Sequence, residues 1–210
     1  MDWAMDYYAV LEEWRSSLEE VYRERSLAAF KAGTPIDLHQ GEIWVVYRGF
    51  VQLSTIHAQG EEILLGIAAP SMPFGLPLTS LRPYCAQALT EVNLMNLSLA
   101  EIAASPQLSQ GLFWHLVHRH QQTEAMLSVA NYRRVEERLR QFLWLLKQEL
   151  GQTVDQGTRL PFRLTHQLIA SGIGSTRVTV TRLMGHLQTE GSLVIDPDRY
   201  LILTPRFAPQ

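Results

Sequence analysis

A single cysteine, Cys85, stands among 210 residues. It can form no intrachain disulfide, and one thiol cannot hold a four-cysteine iron–sulfur cluster. Long apolar runs are missing too: no window approaches the ~18 uninterrupted apolar residues of a membrane-crossing helix. No basic-then-apolar leader opens the sequence, so a soluble, cytoplasmic protein is expected. Catalytic signatures are equally scarce. There is no phosphate-cradling glycine loop, no Gly-x-Ser-x-Gly and no His-Glu-x-x-His, and an enzyme is not expected. Internal repeats and low-complexity tracts are lacking. A strong charge of either sign is lacking as well; the net charge of −3 is not that of a chain gripping a polyanion over its whole surface.

Apolar residues make up 46% of the chain, enough for one large or two small packed domains. Basic charge is local. From residue 161 onward Arg163, Arg177, Arg182, Arg199 and Arg206 face only Glu190, Asp196 and Asp198. Within this stretch, 165–187 reads as two short helices joined by a tight turn. Thr165 is placed to cap the first helix, Leu168 and Ile169 form its buried side, and Ala170 lets a second helix cross close by. Gly172 and Gly174 punctuate the turn, and Ser175 or Thr176 can cap the second helix. In that helix Val180, Leu183, Met184 and Leu187 fall at i, i+3, i+4, i+7, a core-facing stripe. Arg177, Val178, Thr181 and Arg182 lie on the other face. Arginines suit guanine edges, a branched apolar group suits a thymine methyl, and hydroxyls suit phosphates: the requirements of a helix in a DNA major groove. Two apolar runs, 193–195 and 200–203, then flank the turn-rich Asp196-Pro197-Asp198-Arg199. A hairpin there makes the motif a winged helix, with Arg199 at its tip as a phosphate contact.

Residues 1–31 are predicted helical, because Tyr7, Tyr8, Leu11, Trp14, Leu18, Val21 and Tyr22 recur at three- to four-residue spacing. Residues 33–98 change grain. Short apolar or alternating runs at 43–47, 51–56, 63–67, 86–89 and 92–97, separated by glycines and prolines, predict an antiparallel β sandwich. Pro106 opens a helical pattern to about 150, bent or broken near 130–134, with a stripe of Leu108, Leu112, Leu116 and Met126. Gln, Thr, Asp and Gly make 151–160 read as a hinge. Three parts are therefore expected: 1–105, a sensor-like β domain with an N-terminal helix; 106–150, a dimerisation helix and a connecting helix; and 151–210, a winged-helix DNA-binding domain.

The run Ile173-Gly-Ser-Thr-Arg-Val-Thr-Val-Thr-Arg-Leu183 and the hairpin after it resemble the DNA-binding domain of the cAMP receptor protein/fumarate-nitrate regulator (CRP/FNR) family, and within it the cyanobacterial nitrogen-regulator branch. The resemblance implies an α+β fold: an N-terminal cyclic-nucleotide-binding-like β sandwich (jelly roll), a long dimerisation helix and a C-terminal winged helix-turn-helix. It makes Arg177 and Arg182 base readers, with Val178 at a reading position. It makes Thr165, Gln167, Thr176 and Thr179 phosphate contacts, while His166 stands where a basic residue is common. Tyr47-Arg48-Gly49-Phe50 resembles the strand–Gly–strand pattern of the family's effector domain. Phe74-Gly75-Leu76 followed by Arg82-Pro83-Tyr84 lacks the glutamate and the small hydroxyl residue of a cyclic-nucleotide site, so cAMP is not expected. By the same resemblance Phe74, Gly75, Leu76, Arg82, Tyr84, Arg119 and Glu124 match a 2-oxoglutarate pocket. Two guanidinium forks suit a dicarboxylate. His115, His118 and His120 read as helix-surface residues beside an interface, and no metal is expected. The implied partners are double-stranded DNA, a second copy of the chain, and RNA polymerase or a coactivator. The alternatives are an effector-independent regulator, or an adaptor whose N-terminal domain docks a protein.

Overall fold

The computed structural model describes residues 14, 16, 18, 19, 23 and 25–208. By contacts the chain divides into two compact units, 1–55 with 67–122 and 56–66 with 123–210. The fold is mixed: a β-sheet part precedes helices and a helix-turn-helix.

The β part carries seven strands, β1 (Ala28–Phe30), β2 (Glu42–Arg48), β3 (Val51–Ile56), β4 (Glu62–Ala68), β5 (Pro73–Phe74), β6 (Cys85–Ala88) and β7 (Val92–Ser98). They form a four-stranded sheet in the order β1-β7-β2-β5 and a three-stranded sheet in the order β4-β3-β6. The central pair is β2 with β7, antiparallel from Glu42 opposite Ser98 to Arg48 opposite Asn93, with a bulge between Val46 and Arg48. Ile43, Val45, Met95 and Leu97 from this pair are fully buried with Trp14, Leu18, Ile102 and Leu108. Ser98 ends β7 and starts helix α1 (Leu99–Ala104) through a capping box with Glu101. Pro106 then opens α2 (Pro106–Ala130), where its missing N–H costs nothing.

Three expectations change here. The five expected strands are present, but β1 forms where a helix was predicted to reach residue 31. Ala28-Ala29-Phe30 pairs with Val92–Leu94, and that ladder outweighs alanine's helix propensity. Trp14, Ser16, Leu18, Glu19 and Arg23 are helical; Tyr7, Tyr8, Leu11, Val21 and Tyr22 lie outside the described residues. The stripe assigned to dimerisation is split. Leu108 is buried, and Leu112 is packed, against the chain's own β core. Of that stripe Leu116 stays exposed, together with Phe113 and Leu127. His115, read as a surface residue, is buried, its ring centroid 5.4 Å from that of Trp14.

The second unit is built on α3 (Val135–Leu150), which starts after the expected break near 130–134. Leu139, Phe142, Leu143 and Leu146 form its buried side. Residues 151–160, read as a hinge, are a hairpin of β8 (Gln152–Val154) and β9 (Gly157–Arg159). The strand β9 also pairs with β11 (Leu201–Leu203), which pairs with β10 (Leu193–Ile195), giving the order β10-β11-β9-β8. Gly157, at φ +139°, makes the turn; a Cβ there would overlap the Leu203 carbonyl. Between the hairpins lie α4 (His166–Ile173) and α5 (Arg177–Thr189).

Trp14 sits on α2 where Gly111 offers no side chain, and a Cβ at 111 would overlap its ring. Its Nε1–H donates to the Ser71 carbonyl at 2.9 Å. Gly111→Ala is therefore expected to destabilise the protein by about 1–3 kcal/mol through overpacking. Trp14→Ala is expected to cost about 3–5 kcal/mol through the cavity left behind. Urea unfolding of the two variants and of the double variant checks this; the double should cost less than the sum, since the clash disappears with the indole.

Candidate nucleic-acid interface

The helix-turn-helix is assembled by caps and by one close approach. The Thr165 hydroxyl accepts from the Leu168 amide at the start of α4, and that of Thr176 from the Thr179 amide at the start of α5. Of the two expected caps for α5, Thr176 is the one used. Gly174 ends α4 in the left-handed region at φ 58°, and the Ser175 amide closes onto the Ala170 carbonyl. A Cβ at Gly172 would lie 2.8 Å from the Phe142 ring, so the glycine lets α4 rest on α3. Leu168, Ile169, Ala170 and Ile173 are the buried apolar residues of α4, and Val180, Leu183, Met184 and Leu187 bury the inner side of α5, as their spacing predicts.

The outer side of α5 is then what the motif presents. Arg177, Thr181 and Arg182 are exposed, and Val178, at 79% exposure, is a branched apolar group held in solvent. Thr165, Gln167 and Thr176 are exposed at the helix starts, while Thr179 is half-buried. The Thr176 and Thr179 hydroxyls lie 3.0 Å apart. His166 opens α4, its Nδ1 2.8 Å from the Thr181 hydroxyl, which in turn donates to the Arg177 carbonyl at 2.8 Å. Burial, and then the Arg177 charge, hold the His166 pKa below the ordinary histidine value.

The wing tip is ordered by residues that spacing alone does not single out. The Asp196 carboxylate accepts from Arg159 Nε at 2.7 Å and from the Tyr200 amide at 2.8 Å. Burial alone would raise the Asp196 pKa; the Tyr200 amide and the Arg159 guanidinium together hold it below the usual carboxylate range. That guanidinium also covers the Tyr200 ring at 3.9 Å. Arg163 Nε donates to the Asp198 carbonyl at 3.0 Å. Arg199 is exposed at φ 67°, a conformation few non-glycine residues adopt, so the turn carries it at the tip.

The far end of α5 is tied to α3 by Arg140, a buried guanidinium whose Nη2 donates to Glu190 at 2.8 Å and to Glu136 at 3.3 Å. His186 Nδ1 lies 3.2 Å from Glu190. Glu136, His186 and Glu190 are close enough to ligate a metal ion, but here Arg140 supplies the cation.

The residues matched to a small-molecule pocket are only partly brought together. Tyr84 and Arg119 are neighbours. Burial raises the Tyr84 pKa against the opposing Arg119 charge, and burial likewise lowers that of Arg119. Arg119 Nη1 donates to Gln122 Oε1 at 2.7 Å. Gly75, at φ +152°, brings its backbone close to Glu42, leaving no room for a Cβ, and Leu76 opens a short 3₁₀ turn. Phe74 is buried in the β core. Arg82 is exposed, and its Nη1 donates to the Leu81 carbonyl at 2.7 Å. Glu124 is exposed and lies five residues after Arg119 on α2, about 140° around the helix at 3.6 residues per turn. The two residues therefore stand on different faces of α2.

Residues 137–206 match the Crp-like helix-turn-helix domain. Over 180 residues the chain is 35% identical to the Global nitrogen regulator of Synechocystis sp. (strain ATCC 27184 / PCC 6803 / Kazusa), covering 81% of this chain and 78% of that protein. The chain belongs to the CRP/FNR family of transcription regulators. It is also 34% identical over 154 residues to the Regulatory protein CysR of Synechococcus elongatus, covering 72% of this chain and 71% of the other. A CRP/FNR-family transcriptional regulator from Thermus thermophilus superposes with a TM-score of 0.68 at 26% identity, over 85% of this chain and 93% of that one. A Xanthomonas campestris global regulator shares the fold with a TM-score of 0.73 at 20% identity, over 90% of this chain and 99% of that one. A CRP/FNR protein is a DNA-binding regulator and not an enzyme. Among the described residues no helix is long and apolar enough to cross a membrane.

The Arg140 network makes a stability prediction. The bond from Arg140 is the main cause holding the Glu190 pKa below its ordinary value. A depressed carboxylate stabilises the fold above its unfolded pKa and loses that contribution as pH falls through the folded one. Arg140→Met is expected to cost about 2 kcal/mol at pH 7 and to flatten the loss of stability below about pH 4.5. Thermal melting across pH 3–7 measures both.

Proposed function

We propose that the protein is a homodimeric, sequence-specific regulator whose two α5 helices enter successive major grooves of a pseudo-palindrome about one helical turn apart. The observation that carries this is the outer face of α5, where Arg177, Val178, Thr181 and Arg182 stand in solvent above a fully buried apolar stripe. Arg177 and Arg182 read base edges in half-sites of the GTA and TAC kind, and Val178 meets a thymine methyl. Thr165, Gln167, Thr176 and Thr179 position the protein on phosphates, with Arg199 reaching the backbone from the wing. The partner for dimerisation is a second α2. Phe113, Leu116, His120, Thr123 and Leu127 are all exposed and recur at alternating spacings of three and four, the seam of a two-helix coiled coil. Such a regulator works in the cytoplasm, through contact with RNA polymerase or a coactivator.

The effector reading follows the nitrogen-regulator relatives: a small dicarboxylate, 2-oxoglutarate foremost, binds near Arg119 and Tyr84. Support comes from the energetics of Arg119. Burial disfavours the charged form of this half-buried guanidinium, and a carboxylate offsets that cost. The Phe74-Gly75-Leu76 backbone supplies further contacts, and Arg82 joins once it exchanges its bond to the Leu81 carbonyl for the ligand. Glu124 contributes across the α2 seam, because it stands on a different face of α2 from Arg119. The ligand then acts by binding one arrangement of the dimer more tightly than another.

Two experiments test these readings. Arg177→Ala is expected to lose about 1–3 kcal/mol on a GTA/TAC duplex and no affinity for random DNA. Thr165→Ala, which removes a cap and a phosphate contact together, weakens binding to both about equally. Fluorescence anisotropy with the two duplexes reads this out, and equal loss on both for Arg177→Ala would remove its base-reading role. Calorimetric titration with 2-oxoglutarate should give saturable heat that Arg119→Ala abolishes; no heat at millimolar ligand would mean that regulation comes from elsewhere.

A further inference from the structure

The hydroxyl of Thr181 has one proton and two neighbours. It lies 2.8 Å from the Arg177 carbonyl, to which it donates, one turn back along α5. It also lies 2.8 Å from His166 Nδ1. With its proton committed to the carbonyl, the hydroxyl oxygen can only accept from the ring, so Nδ1 carries hydrogen. In the neutral imidazole the other nitrogen, Nε2, is then a bare lone pair. The position matters because His166 is the first residue of α4, between Thr165 and Gln167, and the first helix of such a motif crosses the DNA backbone.

A phosphate oxygen offers only lone pairs. Facing a neutral His166 it meets Nε2 lone pair to lone pair; facing an imidazolium it accepts a charge-assisted N–H bond. From this juxtaposition of His166, Thr181 and Arg177 we infer that His166 is a proton-dependent DNA contact, taking up one proton per protomer when α4 docks on a phosphate. The inference rests on the DNA-contact reading above and deepens it.

Free protein and complex differ in the required sense. Without DNA, burial and the Arg177 charge favour the neutral ring, as does its place at a helix N-terminus. Other charged groups on the elements packed here are Arg182 on α5, Arg163 ahead of α4, and His57, Glu61 and Glu62, which line a cavity with His166's neighbour Gln167 and with Arg177. The charge that registers on the ring is that of Arg177. An added phosphate reverses the balance and raises the pKa. Affinity for DNA then rises as pH falls. The rise begins at the pKa of the complex and is complete below that of the free protein, which lies below the ordinary histidine value. Between those limits each protomer contributes up to roughly tenfold per pH unit, and a dimer on two half-sites up to roughly a hundredfold.

The test is the affinity of the full-length protein for the GTA/TAC duplex and for a random duplex from pH 5.5 to 8 at constant ionic strength. Wild type should bind both more tightly at low pH by at least about tenfold across the range. His166→Gln, which donates but cannot titrate, should remove that slope from both duplexes. Thr181→Val releases the ring proton to Nε2, so its slope should be shallower than that of wild type. Nitrogen-15 spectra of the imidazole at pH 8 should show hydrogen on Nδ1. The inference is overturned by a flat wild-type profile, by a His166→Gln profile as steep as that of wild type, or by hydrogen on Nε2. Each of these outcomes leaves tight, specific binding in place. Failure to bind either duplex at any pH would overturn the DNA reading itself, and this inference with it.

Discussion

The contact on which the DNA-facing unit depends is the one that Gly172 makes by having no side chain. Because nothing stands between the backbone of α4 and the Phe142 ring, α4 lies directly on α3, and α5 is placed by packing against α4 in turn. Two arginines of α3 secure the result at either end. Arg138 reaches the Gly174 carbonyl at the turn, and Arg140 reaches Glu190 beyond the end of α5. The polar outer face of α5 is thus displayed by a rigid support rather than by its own helix propensity, which Val178, Thr179, Val180 and Thr181 keep low.

How much of this could be read in advance depends on the range of the interactions. The caps at Thr165 and Thr176, the left-handed Gly174 and the stripe from Val180 to Leu187 are local, each decided within a few residues, and they were legible. So was the break before α3. The β8–β9 hairpin was not, because Gln152, Thr153 and Asp155 read as loop until β11, about forty residues away, supplies a ladder. The strand β1 is similar: two alanines become a strand only because β7 lies alongside. The small-molecule residues occupy a middle ground. Tyr84 and Arg119 are neighbours, while Arg82 donates to its own backbone, a choice that side-chain type cannot reveal.

Hydroxyls carry more of the interface than its arginines suggest. Thr165 and Thr176 accept as caps, which leaves their protons available, and Thr181 has given its proton to a carbonyl. Thr181 in this state can only accept, whereas a capping threonine that accepts from a backbone amide still has its own O–H; the donors left to face a polyanion are the Thr165 and Thr176 hydroxyls, the guanidinium groups, the Gln167 amide, the backbone N–H groups at the helix starts and, when charged, His166. Affinity on such a surface is governed by protons and salt together rather than by salt alone.

Trp14 has a consequence for α2 that reaches beyond stability. Its indole fills the notch at Gly111, leans on His115 and is pinned by its N–H to the Ser71 carbonyl. A side chain wedged in this way acts as a key in a shaft: it sets the azimuth of the helix, so that α2 cannot turn about its own axis without drawing the key. Phe113, two residues from Gly111, points about 160° away from the notch, and Leu116 follows on that outward side. The N-terminal segment thereby determines which stripe of α2 looks outward, although none of its described residues belongs to that stripe.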